Sequence, residues 1–275
     1  MIRTLQRSFL TAAALLLAHT AAAAPMTLAE AVAAPHRTPD FVARDAWRHP
    51  TETLTFFGIK PGMTVVEIWP GAGWYSEILA PYLKDSGRYF AATPAVSLPN
   101  ASDGQKKAVA GLRDKFAAAP DVYGDVQFSE FRPPLRAEIA PPDSADLVLT
   151  FRNVHNWIGG DFESEAFAAF YRALKPGGVL GVVEHRAPIG QSREESKKNG
   201  YVTEAYVKAL AYGAGFKLAA SSPVNDNPAD TKNYPEGVWT LPPVLRLKDV
   251  DRGKYVAIGE SDRMTLKFVK PKNAN

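Results

Sequence analysis

Cysteine is absent from the 275 residues. That excludes disulfide scaffolds, thiol nucleophiles and cysteine zinc sites. Histidine is scarce, with five in the chain, so imidazole chemistry has few places to be. A charge excess of one sign is lacking too: 32 basic residues stand against 29 acidic ones. Two of the basic residues, Arg3 and Arg7, precede an apolar run, and without them 30 face 29. Such a balance carries no electrostatic footprint for nucleic acid or an anionic membrane surface. No internal repeat, low-complexity linker or Gly-x-Ser-x-Gly hydrolase elbow is present. The apolar run itself, Phe9 to Ala18, is too short to span a bilayer.

What is present is an ordinary globular composition, 46% hydrophobic and 22% charged, long enough for one large α/β domain or two small ones. The basic start, the short apolar core and the run Ala21-Ala22-Ala23-Ala24 read as a secretory signal peptide over residues 1–23. Cleavage is expected after Ala23, because a cut directly before Pro25 is disfavoured. A periplasmic or secreted protein without a stable membrane span is the expectation.

The chain is organised around Val65-Val66-Glu67-Ile68-Trp69-Pro70-Gly71-Ala72-Gly73-Trp74. Strand formers end in an acid and a glycine turn. Trp74, Ile78 and Tyr82 then recur four apart, as on one helix face. Strand, glycine turn and helix is how a doubly wound α/β sheet opens a small-molecule site. Before it, residues 24–58 read as a helical segment broken by Pro35 and Pro39, with a helix from Pro50 ended by Gly58. Trp47 and His49 are read there as packing residues. After it come strands at 88–92, 125–128, 146–151, 179–184, 216–220 and 264–269, with helices at 101–119, 162–174 and from Thr203 to Tyr212. The run Asp146 to Phe151 is apolar throughout, as in a strand buried on both faces. The alternation predicts a Rossmann-like, doubly wound α/β fold over 59–275. Its sheet should have seven mostly parallel strands, helices on both faces and an antiparallel last strand. The tract 223–262 is too long for a plain loop and is read as a lid-like insertion.

These pieces resemble the class I S-adenosylmethionine-dependent methyltransferases, and more narrowly a group of exported bacterial predicted methyltransferases. Val65 to Gly73 resembles the class's first motif, and Leu174-Lys175-Pro176-Gly177-Gly178 its turn into the fifth strand. The narrower resemblance rests on segments such as Phe151-Arg152-Asn153-Val154-His155-Asn156-Trp157 and Gly259-Glu260-Ser261-Asp262-Arg263-Met264. It implies S-adenosylmethionine as cofactor, with Glu67, Gly71 and Gly73 beside its amino-acid end and Ser129 and Glu130 beside adenine. Asn153 would lie near the methyl-transfer position. Two positions depart from the pattern. Trp69 replaces a motif glycine, and Thr93 stands where the class has the acid that holds both ribose hydroxyls. Losing such an acceptor costs about 1.5–3 kcal/mol, roughly ten- to a hundredfold in affinity. Asp230, Glu260 and Asp262 in the 223–262 tract are candidate replacements.

Ligands of such sheets bind beyond the carboxyl ends of the strands, where Asn153, His155, Glu184 and His185 collect. The two histidines have three readings: general acid–base work on an acceptor hydroxyl or amine, metal binding with Glu184, or hydrogen bonding within loops. The spacing matches no recognised metal motif. The catalytic candidates are therefore His155, His185 and Asn153. The function implied is methyl transfer to an unknown small or envelope acceptor. The alternative is a non-catalytic ligand-binding protein on a methyltransferase scaffold that has lost its usual cofactor.

Overall fold

A computed structural model describes residues 26–272; the expected signal segment lies outside them. Four short helices lead in: α1 (Leu28–Val32), α2 (Pro39–Val42), α3 (Asp45–Arg48) and α4 (Pro50–Phe57). Thr27 and Glu30 form a reciprocal capping box on α1. Pro39 and Pro50 open α2 and α4, where a missing N–H leaves no bond unmade. The alternating part follows as β1 (Thr64–Ile68), α5 (Ser76–Leu83), β2 (Arg88–Pro94), α6 (Asp103–Ala117), α7 (Pro120–Tyr123), β3 (Gln127–Phe131) and β4 (Ala145–Phe151). Then come α8 (Val154–Gly159), α9 (Glu163–Ala173), β5 (Leu174–His185), α10 (Arg193–Asn199), α11 (Glu204–Gly213) and β6 (Lys217–Ser222). A single 3-10 turn (Gly237–Thr240), α12 (Arg252–Ile258) and β7 (Arg263–Val269) complete the chain.

The seven strands run β3-β2-β1-β4-β5-β7-β6. Neighbours from β3 to β5 pair in parallel, and β7 is antiparallel to both β5 and β6. This is the expected doubly wound sheet. Strand periodicity divides its core. Val66, Ile68, Val148 and Leu180 pack on one face with Trp157, Phe167 and Phe170 of α8 and α9. Val65, Leu147, Leu149 and Val183 pack on the other with Leu54 and Phe57 of α4 and Ile78 and Leu79 of α5. Helix α4 reaches the sheet because β5 has a glycine there: a Cβ on Gly181 would stand 2.8 Å from the Phe57 ring.

Local differences from the sequence reading have physical causes. Helix α5 begins at Ser76, because Gly73 takes φ +91° and holds Trp74 and Tyr75 in the turn. The Lys175–Gly178 turn is absorbed into β5 as a register shift between the Ala145/Leu174 and Leu147/Val179 pairs. The third strand runs to Phe131 because it follows β2 in register as far as Pro94.

Candidate functional site

A cavity of about 310 Å³ opens at the carboxyl ends of β1, β4 and β5. Each strand ends in an arrangement that sets a polar group on or beside it. At the end of β1, the buried Glu67 carboxylate accepts from Ser76 Oγ (2.7 Å) and Tyr89 Oη (2.6 Å), both on Oε2. Its Oε1 accepts no hydrogen bond among the described residues. Burial raises its pKa to about 7, against the pull of those two donors and of Arg152. The chain then turns through Trp69 at φ +50°, whose indole N–H donates to the Phe131 carbonyl (3.0 Å). Gly71 (φ +61°) lines the cavity, and a Cβ built on it meets nothing within 4 Å, so its backbone fronts open space.

At the end of β4, Arg152 takes φ +60° and its backbone N–H donates to the Val183 carbonyl (2.7 Å). Arg152 lines the cavity, and its guanidinium has no protein partner among the described residues. Asn153 follows; its Nδ2 donates to the Ile68 carbonyl (2.9 Å) and so ties the β1 turn to β4. Glu184, near the end of β5, is fully buried and accepts from Val154 N (2.6 Å), His185 N (2.8 Å) and His155 Nδ1 (3.0 Å). A carboxylate only accepts, so the His155 Nδ1 carries a proton, and in the neutral ring Nε2 keeps a lone pair. His185 Nδ1 meets Ser261 Oγ at 2.5 Å, and the two imidazole centroids are 5.3 Å apart. Burial, then the His155 imidazole when it carries a proton on both nitrogens and the charge of Arg152, push the His185 pKa well below the ordinary imidazole value.

The 223–262 tract folds over this edge: Val238, Trp239, Pro242, Pro243, Val244, Glu260 and Ser261 line the same cavity as Gly71. Two of its acids are not free to hold a ligand. Asp230 accepts from Tyr201 Oη (3.0 Å) and Asp262 N (2.8 Å), and Asp262 pairs with Arg186 (3.1 Å) and Lys232 (2.8 Å). Glu260 does line the cavity, gripped by Arg44 (2.7 Å), Arg48 (3.0 Å) and Arg263 (3.1 Å). Burial would raise its pKa, yet the charges of Arg48, Arg263, Arg152 and Arg44 hold it at about 2. Of the candidate ribose acids in this tract, Glu260 and Asp262 are taken up by ion pairs and Asp230 by hydrogen bonds from Tyr201 and the backbone N–H groups of Lys232 and Asp262.

The cavity brings together Glu67, Gly71, Asn153, His155 and His185. It does not include Gly73, whose absent side chain instead admits Leu112 of α6, 2.7 Å from where a Cβ would be. Ser129 Oγ donates to the Ile139 carbonyl (2.9 Å), and the Glu130 carboxylate accepts from Ser97 N (2.9 Å). Both lie away from the cavity. His155, Glu184 and His185 are a possible metal cluster, with ligand atoms within 4.8 Å of one another. Glu184 is a poor ligand there, since both its oxygens already take N–H donors.

Sequence reasoning missed Arg44, Arg48 and Arg152. The first two are four apart on one helical turn, and the third precedes Asn153 directly; those spacings were the available signal.

No protein-family model matches the chain, and no curated relative matches it in sequence. Solved structures do match in shape. A SAM-dependent methyltransferase from Aquifex aeolicus superposes with a TM-score of 0.55 at 16% identity, over 89% of this chain and 99% of that one. The fold is the class I methyltransferase fold. An arsenic(III) S-adenosylmethionine methyltransferase from Chlamydomonas reinhardtii gives 0.51 at 15% identity, over 92% and 76%. The same methyltransferase fold carries other chemistry as well: the (4+2)-cyclase SpnF gives 0.56 at 16% identity, over 90% and 92%. At these identities the likeness concerns the fold, and function must be argued from the site.

Proposed function

We propose that the protein binds S-adenosylmethionine and transfers a methyl group to a small-molecule acceptor outside the cytosol. The observation that carries this reading is one cavity lined on one side by Glu67 and the open backbone of Gly71 and on the other by His155 and His185. The residues fit the amino-acid end of such a cofactor. Glu67 Oε1 is available to an ammonium group, and no side chain at Gly71 obstructs approach. They fit the ribose end less well: Thr93 is fully buried and donates to the Ser129 carbonyl (3.1 Å), and among the described residues the cavity is lined by no acid besides Glu67 and the ion-paired Glu260.

When bound, the cofactor supplies an electrophilic sulfonium methyl. The protein's own part is positioning, proton handling and exclusion of water. His155 Nε2 accepts the proton of an acceptor hydroxyl or amine, while Glu184 holds Nδ1 and stabilises the resulting imidazolium. His185 stays neutral and adds no charge beside it. Trp239 and Pro243 add apolar surface to the cavity wall.

Calorimetric titration with S-adenosylmethionine and S-adenosylhomocysteine tests the reading, with Gly71→Arg as control. Binding that the control abolishes is the expected result. No heat at millimolar ligand from folded protein would overturn it. It would leave a binding protein that has exchanged its cofactor.

A further inference from the structure

The cavity holds more positive charge than its acids can answer. Arg44, Arg48 and Arg152 line it, and the fully buried Arg263 stands behind. Glu260 is the carboxylate that Arg44, Arg48 and Arg263 share. It takes Nε of Arg44, Nε of Arg48 and Nη1 of Arg263. The Nη groups of Arg44 and Arg48 and the whole guanidinium of Arg152 make no protein hydrogen bond among the described residues. Glu67, the other acid on the wall, ionises only near pH 7. Burial, then the charge of Arg152, pushes the Arg48 pKa well down, which marks cations crowded together without enough anions. Buried charge left uncompensated is costly.

We propose that Arg44, Arg48 and Arg152 recognise the oxyanion of a small ligand other than the cofactor, a carboxylate or phosphate carried on an apolar body. Guanidinium groups match both oxyanions through paired N–H donors. S-adenosylmethionine does not answer the excess, because its ammonium and sulfonium outweigh its one carboxylate and add positive charge to the cavity. The apolar part of the ligand has its own wall. The Tyr75 and Phe151 rings stack at 3.5 Å between centroids, and the Arg48 guanidinium lies 4.8 Å from the Trp74 ring, which fixes its plane. On the methyl-transfer reading this ligand is the acceptor, and to that extent the assignment rests on that reading; the oxyanion site itself stands without it.

The test is calorimetry on the full mature chain with phenylphosphate and with benzoate, each with and without saturating S-adenosylhomocysteine. The expected result is binding of at least one probe, retained in the presence of S-adenosylhomocysteine. It should weaken tenfold or more in Arg152→Gly and in Arg44→Met, a larger loss than either variant shows for S-adenosylhomocysteine. The tighter probe decides between phosphate and carboxylate. Arg152→Gly keeps the left-handed backbone, and Arg44→Met alters a partly exposed side chain, so loss of folding in one does not leave the proposal without a readout. Competition between probe and S-adenosylhomocysteine would overturn it, because the arginines would then hold the cofactor's own carboxylate. Failure of both probes to bind would also overturn it. Probe binding without S-adenosylhomocysteine binding would keep the oxyanion site and remove the methyl-transfer reading.

Discussion

At the scale of single residues, the site holds two left-handed non-glycine positions at the ends of adjacent strands, Trp69 at φ +50° and Arg152 at φ +60°. Each such position costs of order 1–3 kcal/mol. Glycine relieves that strain but adds about 0.5–1 kcal/mol of chain entropy to be lost on folding. Arg152→Gly should therefore stabilise the protein by about 1 kcal/mol in urea denaturation, and an unchanged or lower midpoint would contradict this. Glu67 gives a prediction in pH. Its folded pKa of about 7 lies above its ordinary value of 4.5, so its contribution is intact below pH 4.5 and is lost as pH rises through 7. That loss is on the order of 3 kcal/mol by pH 8. The neutral Glu67→Gln can still accept from Ser76 and Tyr89, and its stability advantage should grow across that window and then level off. A pH-independent difference would show that the carboxyl is not perturbed by burial.

At the scale of elements, Glu260 joins α3 to the start of β7 through Arg48 and Arg263. Removing one member of a buried ion cluster typically costs about 3–5 kcal/mol. Glu260→Gln should lose that much at pH 7, and amide exchange over residues 39–48 should quicken. Protection unchanged there would mean that α3 is held by packing alone. This clasp also marks where the sequence stops being readable. The sheet was legible because Val65, Val66, Leu147 and Leu149 follow strand periodicity and the glycine turn is local. The positions of Asn153, His155 and His185 followed from the strand ends. The four-residue spacing of Arg44 and Arg48 was their one local signal; their partner Glu260 is more than 200 positions away, so the pairing itself was not legible. Glu130 and Ser129 were assigned by analogy with a family; they bond to Ser97 and the Ile139 carbonyl, and neither lines the cavity. The acids of the 223–262 tract were visible as charges, yet their partners Tyr201 and Arg186 come from other elements.

At the scale of the whole molecule, the expected export is the property that bears most on supply of cofactor and acceptor. Mass spectrometry of the protein from a periplasmic fraction should give Ala24 as the first residue. An intact Met1 in the cytosolic fraction alone would refute export. Among the described residues no helix is long and apolar enough to cross a membrane.

The shared grip of Arg44, Arg48 and Glu260 has a consequence for how the cavity comes into being. Arg44 leaves the ribosome, or a secretion pore, 216 positions ahead of its carboxylate. Until that carboxylate arrives, the emerging chain carries a knot of cations that has nothing to close upon. Closure over so long a stretch is slow compared with the local strand–helix units. The binding cavity is thus complete only when the end of the chain has been made, and a chain cut short before Glu260 would lose that carboxylate together with β7, which joins β5 to β6 in the sheet.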